Sequence, residues 1–170
     1  LLNLTAKQKL KKQTAPAIPF DEALVKQFVS SLPFTLTGAQ RASSWEIIRD
    51  MEKGSPMNRL LQGDVGSGKT VVAAIAMLNA ASDKLQTAFL APTEILAHQH
   101  FATLSKLLTG HDLTVGLLTA SSAKLCYCAQ NSISDISKKS IAALIRDGDA
   151  DIVLGTHALL QKTISFKKLG

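Results

Sequence analysis

Apolar positions follow two different spacings along the chain. From residue 58 onward, short apolar runs alternate with longer segments in which apolar residues recur every three or four positions. The runs are typical of buried strands and the longer segments of helices. They predict strands at 58–62, 86–91, 114–118 and 151–154, helices up to about 81 and over 94–108 and 132–146, and a helical turn at 157–161. This alternation predicts an α/β fold, with a parallel sheet covered by helices on both faces.

Two further helices are predicted before the alternation begins, at 21–30 and 39–53. Asp21 is a suitable N-cap for the first helix, and Gly54 ends the second. Residues 1–20 carry four lysines between positions 7 and 12 and are predicted to be a basic linker or arm, with one domain over 21–170. The small, polar residues of 120–134 predict a loop.

A glycine-rich turn joins the first strand to the helix after it. It fits the pattern G-x-x-x-x-G-K-[ST] at every position, with Gly63, Asp64, Val65, Gly66, Ser67, Gly68, Lys69 and Thr70. Backbone amides of such a loop surround a polyphosphate at a helix N-terminus, in conformations that glycine tolerates best. Lys69 would neutralise the β and γ phosphates and the Thr70 hydroxyl would bind magnesium, so both are predicted catalytic residues of a P-loop NTPase that uses ATP. The alternative is a glycine loop that only turns the chain.

Hydrolysis also requires an acidic residue at the end of a later strand. After Thr70 no apolar run leads into Asp or Glu, because Leu90 and Ala91 lead into Pro92, and Leu154 leads into Gly155. We therefore expect a domain truncated before its carboxylate motif, so that the fold is incomplete at its C-terminus. We expect the isolated chain to show no DNA-stimulated ATP turnover.

Composition narrows the class of partner. A formal charge of +6 favours contact with polyanions, nucleic acid above all. The apolar runs are shorter than the eighteen or so residues of a membrane span, and no signal peptide is evident, so a cytoplasmic protein without a membrane partner is expected. Cys126 and Cys128 are one residue apart, a spacing that predicts reduced thiols rather than a zinc site or a disulfide.

Four segments together resemble the RecG family of bacterial ATP-dependent DNA helicases, in superfamily two. They are PFTLTGAQ (33–40), PMNRLLQGDVGSGKT (56–70), APTEILAHQH (91–100) and GTHALLQ (155–161). The resemblance covers most of residues 18–170. It implies the first RecA-like motor domain of a helicase or translocase that acts on branched or forked DNA in repair and recombination. It also implies a second RecA-like domain and a wedge domain as partners in the parent chain.

The resemblance also implies roles for individual residues. Gln40 lies where the family reads adenine, and Phe34 would flank the base. Thr93, Glu94 and Gln99 match one motif that contacts DNA, and Thr156 and His157 match a second. One departure is Thr119-Ala120-Ser121, where the family usually has Thr-Gly-Ser. A fragment that binds nucleotide or DNA without hydrolysis remains the alternative function, whereas a P-loop kinase does not need the two DNA motifs.

Overall fold

Residues 14–170 are described by the computed structural model. They form two compact units, the first reaching Asp83 and the second spanning Lys84–Leu169. Most of the predicted arm at 1–20 therefore lies outside the described residues. Its last part, 14–20, has no helix or strand, and the Ile18 amide donates to the Met51 carbonyl at 2.9 Å. The predicted domain boundary at residue 21 stays a prediction.

The described part of the first unit contains three helices: α1 (Glu22–Ser31), α2 (Gly38–Met51) and α3 (Lys69–Ser82). Their bounds agree with the predicted helices to within two residues. Asp21 caps α1 by accepting a hydrogen bond from the Leu24 amide at 3.0 Å, as predicted. Both α1 and α2 contact α3, and the fully buried side chains of this unit include Phe28, Ile48, Ile75 and Leu78.

The predicted strand at 58–62 is wrong, because this segment belongs to no strand of the structure. Arg59 explains where it lies instead. Its guanidinium contacts the Asp50 carboxylate, with Nε at 3.0 Å, and the Glu46 carboxylate at 2.5 Å, so ion pairs hold the segment along α2. Leu60 is 86% exposed. A short segment with two leucines forms a strand only where a neighbouring strand can satisfy its backbone.

All five strands lie in the second unit, in the order β1-β5-β2-β3-β4. They are β1 (Thr87–Leu90), β2 (Thr114–Leu118), β3 (Ala123–Tyr127), β4 (Ser132–Asp135) and β5 (Ile152–Gly155). β5 runs parallel to both β1 and β2, whereas β3 and β4 are antiparallel to their neighbours. The sheet is therefore mixed, with the predicted parallel arrangement confined to its first three strands.

One helix covers each face of this sheet. Helix α5 (Lys138–Asp147) packs Ile141 and Ile145 into a cluster with Val153 and Leu125. Side chains alternate along β5, so Ile152 and Leu154 point to the opposite face, where α4 (Glu94–Leu107) contacts β2 and β5. Both β5 residues are fully buried. Coverage on both faces is confirmed.

A β-hairpin replaces the predicted loop at 120–134 and shortens the predicted helix at 132–146. β3 and β4 pair through a 3₁₀ turn at Cys128–Gln130, and α5 begins only at Lys138, after its N-cap Ser137. The hydroxyl of Ser137 accepts from the Ser140 amide at 3.0 Å. The misprediction has a clear cause: serine is common both in loops and on an exposed edge strand, and all of β4 is exposed.

Gln86 connects four parts of the second unit, and its side chain is buried. The amide nitrogen donates to the carbonyls of Ile145 and Ala150 at 2.9 and 2.8 Å. The amide oxygen accepts from the backbone of Lys167 and Lys168 at 2.8 and 3.2 Å. This side chain thus uses all its hydrogen-bonding capacity to hold 167–168 beside the start of β1.

Among the described residues, no helix is long and apolar enough to cross a membrane.

Candidate nucleotide and nucleic-acid sites

The glycine-rich turn adopts a conformation that ordinary residues resist. Gly66 and Gly68 have φ values of 82° and 80°, in the left-handed region. The Ser67 amide donates to the Asp64 carbonyl at 3.1 Å, which closes the turn between them. A Cβ at Gly63 would lie 2.7 Å from the Ser67 hydroxyl oxygen. The loop is thus compact enough to need glycine at these three positions.

This turn leads directly into the N-terminus of α3. Gly68 is the N-cap residue, so no side chain caps the helix, and no acidic residue lies in its first turn. The first amides of a helix have no partner within the helix, and its dipole favours negative charge there. The local geometry therefore suits an anionic group, and phosphate in particular.

Lys69 and Thr70 follow the turn on the first residues of α3. The Lys69 ammonium donates to the carbonyls of Gly63 and Asp64, each at 2.7 Å, so the side chain folds back over the loop. This places a positive charge inside the curve of the loop, where a phosphate would also lie. Thr70 is half-buried.

Gln40 joins α2 to the glycine-rich turn. Its side-chain oxygen accepts from the Thr37 amide at 2.9 Å, and its nitrogen donates to the Ser67 carbonyl at 2.9 Å. The Thr37 hydroxyl accepts from the Gln40 amide, which completes a capping box at the start of α2. Phe34 lies just before this cap with 46% of its surface exposed. The structure thus brings Gln40 against the loop and leaves an aromatic ring free nearby in sequence.

A second group of predicted site residues follows the parallel strands of the second unit. Leu90 pairs with Gly155, and Gly155 pairs with Leu118, so β1, β5 and β2 end side by side. Thr93, Thr156 and Thr119 each come shortly after one of these strand ends. Loops at the carboxyl ends of parallel strands are where ligands bind in open α/β sheets. The structure therefore brings the two predicted DNA motifs to the end of the sheet where these three strands terminate, which we call the carboxyl edge.

Glu94 has partners at this edge that the sequence did not indicate. Its carboxylate accepts hydrogen bonds from the hydroxyls of Thr119, at 3.1 Å, and Ser121. The bond from Ser121, and to a smaller extent the bond from Thr119, lowers the pKa of Glu94. His98 Nε2 lies 2.9 Å from the Ser122 hydroxyl, one helical turn further on. The first turn of α4 thus holds the turn that follows β2.

The other predicted DNA residues are distributed around the same edge. Thr93 caps α4 by accepting from the Leu96 amide at 3.3 Å. Gln99 and His157 are exposed, and Thr156 is half-buried at the start of a 3₁₀ turn at His157–Leu160. Unlike Glu94, these side chains are available to a ligand.

Within residues 14–170, no group of three or more His, Cys, Asp or Glu side chains could hold a metal ion. Cys126 and Cys128 are free and buried, with their sulfur atoms 3.9 Å apart. Burial raises the pKa of the Cys128 thiol. Both thiols are therefore part of the core around the hairpin.

Known proteins that are similar to this chain are helicases. The family model for DEAD/DEAH box helicases matches residues 40–170. The chain is 41% identical over 167 residues to the ATP-dependent DNA helicase RecG of Aquifex aeolicus, covering 98% of the chain and 20% of that protein. It is 46% identical to RecG of Streptococcus pneumoniae over 140 residues, covering 82% of the chain and 19% of that protein.

A solved structure of RecG bound to a three-way DNA junction superposes with a TM-score of 0.82 at 40% identity. The match covers 98% of this chain and 21% of the RecG chain. The described fold is therefore that of a RecA-like helicase domain. The chain spans only about a fifth of the length of these relatives. It belongs to the DEAD/DEAH box helicase family and matches RecG helicases over almost its whole length.

Proposed function

We propose that this chain is the ATP-binding domain, the first of two RecA-like domains, of a helicase that acts on branched DNA in fork repair and recombination. The observation that carries the proposal is the glycine-rich turn, which presents two left-handed glycines and Lys69 at the uncapped N-terminus of α3. The names of the relatives support the reaction and the substrate. Such a protein would work in the cytoplasm, where a bacterial chromosome lies.

In this proposal the amides of residues 63–70 bind the phosphates of ATP, and Gln40 and Phe34 contact the adenine. Thr70 would supply one hydroxyl ligand to Mg²⁺, and phosphate oxygens and water would supply the others. The local residues fit this role, because the glycine-lined turn leads into a helix whose first turn has no acidic residue and can accept a polyphosphate. When bound, Mg²⁺ would neutralise charge on the phosphates.

The DNA strand would follow the carboxyl edge of the sheet. Thr93, Gln99, Thr156 and His157 would contact it directly through hydroxyl, amide and imidazole groups. Glu94 would act indirectly, because its carboxylate already accepts hydroxyls from the turn after β2. A second RecA-like domain and a wedge domain would complete the site in the whole protein.

One observation favours the alternative, a module that binds nucleotide without hydrolysing it. In the described part of the chain, β1, β2 and β5 lead into Ala91, Thr119 and Thr156, so no strand end is followed directly by a carboxylate. Hydrolysis by P-loop enzymes requires such a carboxylate to hold the metal. Under this alternative the chain binds ATP and turns over none.

Nucleotide binding can be tested by titrating the chain with a fluorescent ATP analogue in the presence of Mg²⁺. We expect Lys69→Ala to weaken binding by about 10- to 100-fold, because it removes charge-assisted hydrogen bonds of about 1.5–3 kcal/mol. Lys26→Ala is the matched control, since Lys26 is exposed on α1 and pairs only with Glu22. Equal effects of the two substitutions would refute the phosphate site.

Turnover tests whether this chain hydrolyses ATP by itself. We expect no ATP hydrolysis above background by this chain, with or without single-stranded DNA. Hydrolysis that disappears in Lys69→Ala would establish a complete ATPase and exclude the non-hydrolysing alternative.

A further inference from the structure

A groove in the second unit lies beside the predicted DNA residues and was not part of the predicted site. Its volume is about 460 Å³. It opens where β2 and β5 end, between the turn after β2, the first turn of α5 and the chain after the 3₁₀ turn. Its polar lining residues are Thr119, Lys138, Lys139, Gln161 and Thr163.

The charge of this groove is entirely positive. Lys138 and Lys139 line it, and none of the described residues that line it is acidic. The Lys138 ammonium donates to the Ala120 carbonyl, which fixes its position against the turn after β2. Lys139 is exposed and makes no ion pair with any other described residue. Two adjacent ammonium groups without a carboxylate partner favour an anionic ligand.

The lining also distinguishes between parts of a nucleic acid. The apolar lining residues are aliphatic, and no aromatic ring is present among the described residues that line the groove. Bases of a single strand are usually held by stacking on aromatic side chains, so this groove is poorly suited to bases. Lysine, hydroxyl and amide groups are instead the common partners of backbone phosphates.

Position connects the groove to the rest of the proposed DNA surface. Thr119 lines the groove, and its hydroxyl donates a hydrogen bond to the Glu94 carboxylate. Thr156 and Thr93 follow β5 and β1, which lie on the other side of β2. A strand that follows the carboxyl edge past Thr93 and Thr156 would therefore reach the two lysines next. The edge supplies hydroxyls, and the groove supplies the positive charge.

We infer that Lys138 and Lys139 form a phosphate-binding site for the sugar-phosphate backbone of a DNA strand at the end of this edge. The inference rests on the proposed DNA-binding function and adds to it the residues that supply the charge. Because the contact is to phosphate, the site binds without regard to base sequence. Lys138 also supports the turn after β2, whereas Lys139 acts only through its charge.

The test measures binding of a fluorescein-labelled oligothymidylate to the chain by anisotropy, between about 50 and 200 mM salt. We expect Lys139→Ala to weaken binding several-fold at low salt. Each phosphate contact on a single strand contributes about 0.7 to the slope of log K against log salt, so the slope should fall by about that amount. Lys139→Glu should weaken binding further, and an oligomer of mixed base sequence should behave like the oligothymidylate.

Lys106→Ala is the matched control, because Lys106 is exposed in the last turn of α4, at the opposite edge of the sheet. If Lys139→Ala leaves the salt slope equal to that of Lys106→Ala, or if the chain binds no DNA, the groove assignment is wrong. Fluorescent ATP binding to Lys139→Ala is measured in parallel and should be unchanged. If Lys139→Ala does not change DNA binding while ATP binding stays intact and dependent on Lys69, only the groove assignment is refuted, not the nucleotide site.

Discussion

The carboxylate of Glu94 accepts a hydrogen bond from the Thr119 hydroxyl at 3.1 Å, although 25 residues separate the two in sequence. Glu94 lies on the first turn of α4 and Thr119 directly follows β2. The contact fixes the position of one loop at the carboxyl edge against the helix that follows another. Glu94 therefore positions the loops that form the proposed DNA surface.

The titration of Glu94 tests this contact. Hydrogen bonds from Ser121, and then from Thr119, lower the pKa of Glu94 in the folded chain. A lowered folded pKa means that the contact stabilises the fold above the unfolded pKa and is lost as pH falls through the folded pKa. We expect NMR of the side-chain carboxyl to show a midpoint below the ordinary glutamate value, and Ser121→Ala to raise it.

Ser132→Ala provides the control for that titration, because Ser132 is exposed on β4, away from Glu94. A Glu94 midpoint at the ordinary value in the unsubstituted chain would contradict the contact. So would an equal shift in both serine variants.

Gln40 should distinguish adenine recognition from phosphate binding. We expect Gln40→Ala to weaken ATP by about tenfold, the value of one well-made hydrogen bond, and to change binding of inorganic triphosphate much less. Competition against a fluorescent nucleotide measures both ligands. Gln27→Ala, an exposed position on α1, is the control. Equal weakening of both ligands would mean that Gln40 acts only through its bond to the Ser67 carbonyl.

Gln86→Ala should strongly destabilise the chain. The substitution leaves the Ala150 carbonyl and the amides of Lys167 and Lys168 without their partner, whereas the Ile145 carbonyl still accepts from the Gly148 amide at 3.3 Å. Each unsatisfied buried group costs about 1–3 kcal/mol, and some will recruit water, so we expect a loss of about 3 kcal/mol. Urea denaturation measures the loss.

Gln130→Ala removes an exposed glutamine from the hairpin turn and should change the free energy of unfolding by less than about 0.5 kcal/mol. A similarly small effect at Gln86 would show that the segment at 167–168 is not held by this side chain.

Gly155→Ala should be costly for a different reason. A Cβ there would overlap the Leu118 carbonyl oxygen and lie 2.8 Å from Leu159 Cγ. Because the obstacle is backbone, β2 and β5 would have to move apart, and we expect a loss of about 2 kcal/mol. At Gly38 a Cβ would meet nothing within 4 Å, so Gly38→Ala should be neutral or stabilising. Thermal unfolding of both variants decides the point; equal midpoints would contradict the crowding at Gly155.

Sequence patterns predicted most helices, because their caps and periodicities are local. Asp21 caps α1 as predicted, and α4 begins at the predicted residue, after Thr93. The place of the glycine-rich turn before α3 was equally predictable, since the pattern of its glycines and Lys69 lies in consecutive residues. Strand ends brought together in space, such as Leu90 beside Gly155, followed from the parallel topology.

The remaining features depend on contacts between distant residues. The sequence around residues 58–62 does not indicate that Arg59 pairs with Glu46 and Asp50. The pattern of residues 58–62 therefore predicted a strand. Likewise, the hairpin at 123–135 depends on the antiparallel pairing of β3 with β2. Local composition does not indicate this pairing. The lysines of the groove were hidden for the same reason: Lys138 is distinctive only beside the Ala120 carbonyl.

The outermost strand, β4, gives the sheet a border that discourages self-association. It is four residues long, fully exposed and half serine, and its Asp135 pairs with Lys124 at 3.0 Å. Short strands that carry charge make poor templates for another chain. The hairpin thus ends the sheet on this side with a surface that water can solvate, and a variant with valine at Ser132 and Ser134 would be more prone to aggregate through this edge.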